Sequence, residues 1–453
     1  MGVAASPESQ LLPSVVPLAG KSNDHGALLE RIGDARFVLL GEATHGSHEF
    51  YNERARITKR LIEEKGFDAI AIEGDWPDVH RLNRWVKGAS SDRDADAALS
   101  SFGRFPTWMW RNKEMIELAR WLRAHNESRA GGTSGTPARR MVDLYGMDLY
   151  SLYTSIDAVL MYLDRVDPPA AQRARARYAC LGHHGRDSTA YAYASGLGLG
   201  TSCEDAVMQQ LHEMRERAIE HARNDGGSAG DELFHVEQNA RLVKSAEEYY
   251  RSMFRGAVVT WNLRDRHMAD TIGAIAQYLD HELRRPSKVC VWAHNSHLGD
   301  ARATEMGREG ELNVGQLARE RYGRDAFLVG FTTYEGQVSA ASDWDGPVEK
   351  KVLRPALEGS CEALFHGLSI PAFTVLPGDD GHLPDVLRRE RLERAVGVVY
   401  RPDTERQSHW FHAHVADQFD AVVHVDRTHA VEPLERSARW HGPDAPDTFP
   451  FAV

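Results

Sequence analysis

Two patterns of hydrophobic and polar positions interleave along the chain. Short unbroken apolar runs alternate with longer segments whose apolar residues recur every three or four positions, the signatures of buried strands and amphipathic helices. The first run, at 36–40, is closed by Gly41. Residues 47–65 carry helical spacing, with Phe50, Ile57, Leu61 and Ile62 on one stripe and Gly66 placed to cap it. A second strand is predicted over 68–73, helices over 79–86 and 112–126, and a third strand over 142–147. The sequence GGTSGTP at 131–137 reads as a loop. Strands separated by helices in this order argue for a parallel sheet.

From 151 to about 281 the pattern changes to long polar segments with helical period, broken at 183–202 and 224–230. Strand-like runs return at 288–293, 326–332, 373–376, 397–400 and 421–425. The expectation is an α/β fold: a largely parallel sheet flanked by helices, with a large helical insertion. An N-terminal arm would occupy 1–25. The catalytic α/β domain would be built from 26–150 and 285–453, around an insertion at 151–284.

Composition narrows the function. With 54 Lys and Arg against 66 Asp and Glu, the net charge is −12 over 453 residues. An acidic chain gains no counterion-release affinity for nucleic acid or for an anionic membrane, so neither is expected as a partner. No apolar run approaches the roughly 20 residues that span a bilayer, and the N-terminus lacks the basic start of a secretory signal. Met1-Gly2 followed by Ser6 matches the short myristoylation pattern. Cys180, Cys203, Cys290 and Cys361 are far apart in sequence. That spacing gives no zinc ribbon or C-x-x-C motif and points to reduced thiols in a cytoplasmic protein. Gly196, Gly198 and Gly200 follow no strand, and no P-loop motif occurs. Histidine is abundant, at 22 residues against 15 Phe and 14 Tyr.

Placement decides which histidines matter. Ligands of α/β sheets bind at the carboxyl ends of strands. The first predicted strand ends in Gly41-Glu42-Ala43-Thr44-His45-Gly46, the second in Glu73-Gly74-Asp75-Trp76, the third at Asp148. The strand at 288–293 is followed by His294-Asn295-Ser296-His297. Four strand ends thus carry carboxylates and imidazoles, although a lone loop histidine is usually solvated or capping. His45 is a candidate general base, with Glu42 as its orienting partner or a second acid–base group. His294 or His297 would serve as electrophile or second proton carrier, and Asn295 would fix a loop or polarise a carbonyl. Gly46 would let the backbone pass close to a ligand. No Gly-x-Ser-x-Gly elbow exists, and Cys290 lies inside a predicted strand, so attack by an activated water is favoured over a side-chain nucleophile. The same His and Glu residues are competent ligands for zinc or manganese, which keeps a metal-dependent hydrolase open as an alternative. A non-catalytic small-molecule binding protein is the other.

These segments resemble the erythromycin esterase family. The similarity rests on Gly41 to Gly46 (GEATHG), on IEGDWPD at 72–78, on Arg264 to Ala269, on Trp292 to His297, on Gly397 to His409 and on Gln418 to Ala421. It extends from about residue 25 to 435. The resemblance implies hydrolysis of an ester or macrolide lactone by activated water, with no required metal or cofactor. His45 would be the base, and Glu42, Arg54, Glu73 and His294 or His297 would complete the site. Arg264, with Arg266, would bind a carboxylate or steady an oxyanion, the bland reading being a helix-surface ion pair with Asp265 or Asp270. Trp76, Trp108 and Trp110 would line an apolar pocket or pack in the core.

Overall fold

In the computed structural model, residues 6–130, 140–182, 186–196, 202–224 and 229–436 are described. The expected loop at 131–137, Met1 and Gly2 of the myristoylation pattern, and Gly198 and Gly200 lie outside them. The strands are β1 (Val15–Pro17), β2 (Phe37–Leu40), β3 (Ala69–Asp75), β4 (Asp143–Asp148), β5 (Val289–Trp292), β6 (Ala326–Thr332) and β7 (Glu335–Ala340). They continue with β8 (Glu349–Leu353), β9 (Ala372–Val375), β10 (Arg391–Arg394), β11 (Trp410–Ala413), β12 (Ala421–Val425) and β13 (Arg427–Thr428). The fold is α/β, with a large, mostly parallel sheet flanked by helices. The chain divides into two compact units.

The first unit comprises Met1–Ile70, Trp85–Val142 and Lys288–Val453. Its sheet runs in the order β1-β9-β12-β6-β2-β5. Strands β12, β6, β2 and β5 are parallel, while β9 and β1 are antiparallel additions at the edge. The central strand β2 is buried at every residue, which is why its sequence is a continuous apolar run. The helix His48–Lys65 follows it and buries Phe50, Ile57, Leu61 and Ile62, the predicted stripe. Gly66 ends that helix at φ 69°, its N–H donating to the Leu61 carbonyl.

Three expectations change here. The N-terminal arm is partly ordered into the fold: Pro7–Leu11 is helical, and β1 hydrogen-bonds to β9. Residues 397–400 are apolar but form no strand. Tyr400 instead buries itself with Val338, Ala340, Leu353 and Val396, and isolated bridges join Val399 to Ala341 and Val396 to Thr44. Strands β7, β8 and β13 form a small sheet and β10–β11 a hairpin, none of which was predicted. Their sequences, such as EKKVL at β8, are half-exposed and polar and give no clear period.

The second unit comprises Ala71–Arg84 and Asp143–Ser287. It holds most of β3, its neighbour β4, and the helices Leu152–Val166, Pro168–Gly182, Ser188–Gly196, Glu204–Asn224, Ala229–Ser252 and Ala257–Leu283. The helix Ser188–Gly196 lies within the stretch expected to be a break. The expectation of four reduced thiols is also corrected. Cys180 closes one helix and Cys203 precedes another. The fold brings their Cα atoms to 6.0 Å, within disulfide range, and the two are joined. Cys290 and Cys361 are free and buried. No helix among the described residues is long and apolar enough to cross a membrane.

Candidate active site

The first unit gathers Glu42, His45, Arg54, His294, Asn295 and His297. Strand β2 ends at Leu40, and the chain turns through Gly41 to place Glu42 and His45 three residues apart. His45 Nδ1 lies 2.9 Å from Glu42 Oε1. A carboxylate only accepts, so the imidazole donates through Nδ1, and Nε2 is the lone-pair nitrogen of neutral His45. The second Glu42 oxygen accepts from Arg54 Nη2 at 2.6 Å. Glu42 and Arg54 are wholly buried, and His45 is 7% exposed.

Arg54 sits nearly two turns into the helix His48–Lys65, and its guanidinium lies 4.7 Å from the ring centres of both Tyr51 and Trp292. Its Nε and Nη1 have no hydrogen-bond partner among the described residues. The two aromatic faces supply the cation with attraction that hydrogen bonds do not. Tyr51 and Trp292 are in turn fixed: Tyr51 O–H donates to the Met109 carbonyl at 2.6 Å, and Trp292 Nε1 donates to Thr58 Oγ1 at 2.9 Å. Neither aromatic was singled out from the sequence. Tyr51, Arg54 and Thr58 share one helix face at i, i+3, i+7, a spacing from which Tyr51 could have been found.

Gly46, after His45, packs tightly against the backbone of Ser339. A Cβ there would lie 1.9 Å from the Ser339 carbonyl oxygen. The Gly46 carbonyl accepts from Ser339 N–H at 3.0 Å and Val431 N–H at 2.9 Å. Gly46→Ala is therefore expected to destabilise the protein by about 1–3 kcal/mol by overpacking. Denaturant unfolding of the purified variant would read this as a lowered midpoint.

His294 and Asn295 follow β5. The ring centres of His294 and His45 are 4.8 Å apart, so of the two candidate histidines His294 is the one in ring contact with His45. His294 Nδ1 accepts from Ser296 N–H at 3.2 Å and lies 2.8 Å from Ser296 Oγ; a neutral ring that accepts at Nδ1 carries its proton on Nε2. His297 is buried, its main-chain N–H donating to the His294 carbonyl at 3.0 Å. Asn295 is wholly buried and fixes the loop. Its main-chain N–H donates to the Glu42 carbonyl at 2.8 Å, and its amide spans Phe331, donating to the carbonyl at 2.8 Å and accepting from N–H at 3.2 Å. A Cβ on Gly41 would lie 2.1 Å from Asn295 Oδ1, so this clamp requires glycine. Cys290 is buried beneath, its thiol pushed up to about 12 by burial, and is no nucleophile.

The second unit brings together Glu73, Asp148 and Arg264. Arg264 donates to Asp148 through Nε at 3.0 Å and Nη2 at 2.7 Å, and through Nη2 to Glu73 Oε1 at 2.7 Å. Its guanidinium also lies 5.0 Å from the Tyr150 ring centre. These buried carboxylates, rather than a helix surface, receive its guanidinium, and neighbouring Arg266 is exposed. Trp76 is buried in this unit, stacked on Tyr145, with its indole N–H donating to His235 Nδ1 at 2.8 Å. Trp108 and Trp110, in the first unit, are buried as well. No group of three or more His, Cys, Asp or Glu with metal-binding geometry occurs among the described residues.

Known proteins resemble this chain in sequence and in fold. The erythromycin esterase type II of Escherichia coli is 23% identical over 407 residues, covering 84% of this chain and 92% of that protein. The crystal structure of a succinoglycan biosynthesis protein superposes with a TM-score of 0.71 at 19% identity, covering 94% of this chain and 97% of the other. A mutant of the erythromycin esterase EreC in its open conformation gives a TM-score of 0.60 at 18% identity, covering 90% and 94%. The sequence profile of the erythromycin esterases matches residues 62–428, most of the chain. The protein belongs to the erythromycin esterase family.

Proposed function

We propose that this member of a hydrolase family cleaves a carboxylic ester or macrolide lactone by direct attack of a water activated by His45. The observation that carries the reading is the buried Arg54–Glu42–His45 chain, with hydrogen bonds of 2.6 and 2.9 Å. Glu42 orients the imidazole so that Nε2 takes a proton from water while the water oxygen bonds to the acyl carbon. The tetrahedral intermediate then collapses, the acyl C–O bond breaks, and the His45 imidazolium returns the proton to the departing alkoxide. Water and ester are thereby converted into acid and alcohol, or into the opened hydroxy acid of a lactone. His294, with its proton on Nε2, donates to the developing oxyanion.

Chelator-treated protein incubated with macrolides and simple aryl esters, with products followed by mass spectrometry, tests the proposal. A gain of one water on a macrolide supports both chemistry and substrate. Turnover of aryl esters alone keeps the chemistry and discards the macrolide. Turnover that appears only after zinc or manganese is added would replace the His45-only mechanism with metal-dependent hydrolysis.

A further inference from the structure

The loop carrying His294 is held at both ends by side-chain or main-chain groups that converge on one buried carboxyl, Glu393 of β10. At the start of the loop, Asn295 Nδ2 donates to Glu393 Oε1 at 3.3 Å. At its end, Asp300 N–H donates to the main-chain carbonyl of Gln418 at 3.0 Å, and the Gln418 side chain hydrogen-bonds Glu393. Glu393 is 1% exposed. Resting on the esterase reading above, we propose that Glu393 is a positioning residue for the loop 294–300, working as a neutral carboxylic acid wedged between the amides of Asn295 and Gln418.

The surroundings favour the neutral form. From the helix Cys361–His366, Glu362 faces Glu393 with like charge, together with the Cys361 thiol. From the other elements, among the described residues, come the amides of Asn295 and Gln418, whose donation favours the charged form less than burial opposes it. On its own strand, Arg394 gives its guanidinium to Glu405 at 3.0 Å and to the carbonyls of Thr333, Tyr334 and Arg354. Three buried oxygens in this cluster, Glu393 Oε2, Glu362 Oε2 and Gln418 Oε1, have no hydrogen-bond partner among the described residues. A proton on Glu393 supplies the donor such a set of acceptors needs. Burial, then the Glu362 charge, raises the Glu393 carboxyl from 4.5 to about 8.

The sign follows from linkage. Folded protein holds a proton between 4.5 and about 8 that unfolded protein releases, so this contribution to stability is lost as pH rises through that window. Above it, a buried charge appears behind Asn295 and the His294 loop loses its register. Glu393→Gln mimics the neutral acid. It is expected to match wild-type ester turnover at neutral pH and to keep it at about pH 9.5, where wild-type kcat has fallen roughly tenfold or more. Its melting temperature should exceed the wild-type value by a margin that widens by about 2–4 °C between pH 6 and pH 8.5. The infrared band of a protonated carboxylic acid should be present in wild-type protein at neutral pH and bleach at about pH 9.5. Superimposable pH–rate profiles with a constant melting difference, or no protonated-carboxyl band, would overturn the proposal. The melting and infrared readouts require no substrate, so they stand or fall separately from the esterase reading.

Discussion

Replacing His45 by alanine is expected to lower kcat for ester hydrolysis by roughly 10²–10⁴-fold, the usual contribution of a positioned general base. KM should change little, because the imidazole acts on water rather than on the bound ester. The fold should survive. Glu42 keeps its 2.6 Å bond to Arg54, and the loss is one hydrogen bond, about 1 kcal/mol. Steady-state kinetics together with a melting curve separate the two effects. A variant that melts like wild type and hydrolyses as fast would remove His45 from the chemistry.

Arg54→Met should produce the largest loss of stability in the molecule's first unit. Arg54 and Glu42 are both wholly buried, so deleting the guanidinium strands a carboxylate in the core with His45 as its remaining side-chain hydrogen-bond partner among the described residues. Breaking a buried pair in this way costs about 3–5 kcal/mol, a large part of the 5–15 kcal/mol that is typical of total stability. The stacking on Tyr51 and Trp292 is lost with it. The double variant Glu42→Gln with Arg54→Met removes both charges and should recover much of the stability while remaining inactive, because the imidazole has lost its orienting carboxylate. Denaturant titration of the single and double variants checks this. If the double variant is no more stable than Arg54→Met, packing rather than the uncompensated charge accounts for the cost.

The parts of the fold that could be read in advance are those whose burial leaves a local imprint. Strand β2 is apolar throughout because both faces are covered, and the helix after it shows its stripe because one face is. The strand ends then placed Glu42, His45 and His294 in view, because topology alone directs side chains there. Arg54 was brought in by family resemblance, since a buried arginine and a surface one look alike in sequence. What stayed hidden depends on contacts remote in sequence. Trp292 meets Arg54 across 238 positions, and Glu393 reaches Asn295 across 98. The same holds for Cys180 and Cys203, whose pairing comes from helix packing and not from spacing. Residues 397–400 illustrate the converse: an apolar run is compatible with a strand, yet Tyr400 is satisfied by burial and by donating to Glu405 at 2.8 Å.

The most direct test of the central claim is turnover of an aryl ester in ¹⁸O-labelled water, reading both the product and the intact protein by mass spectrometry. Activated-water attack predicts label in the acid product and no acyl adduct on the protein during turnover. An accumulating acyl-enzyme, or the absence of hydrolysis for every ester and lactone tried, would contradict it.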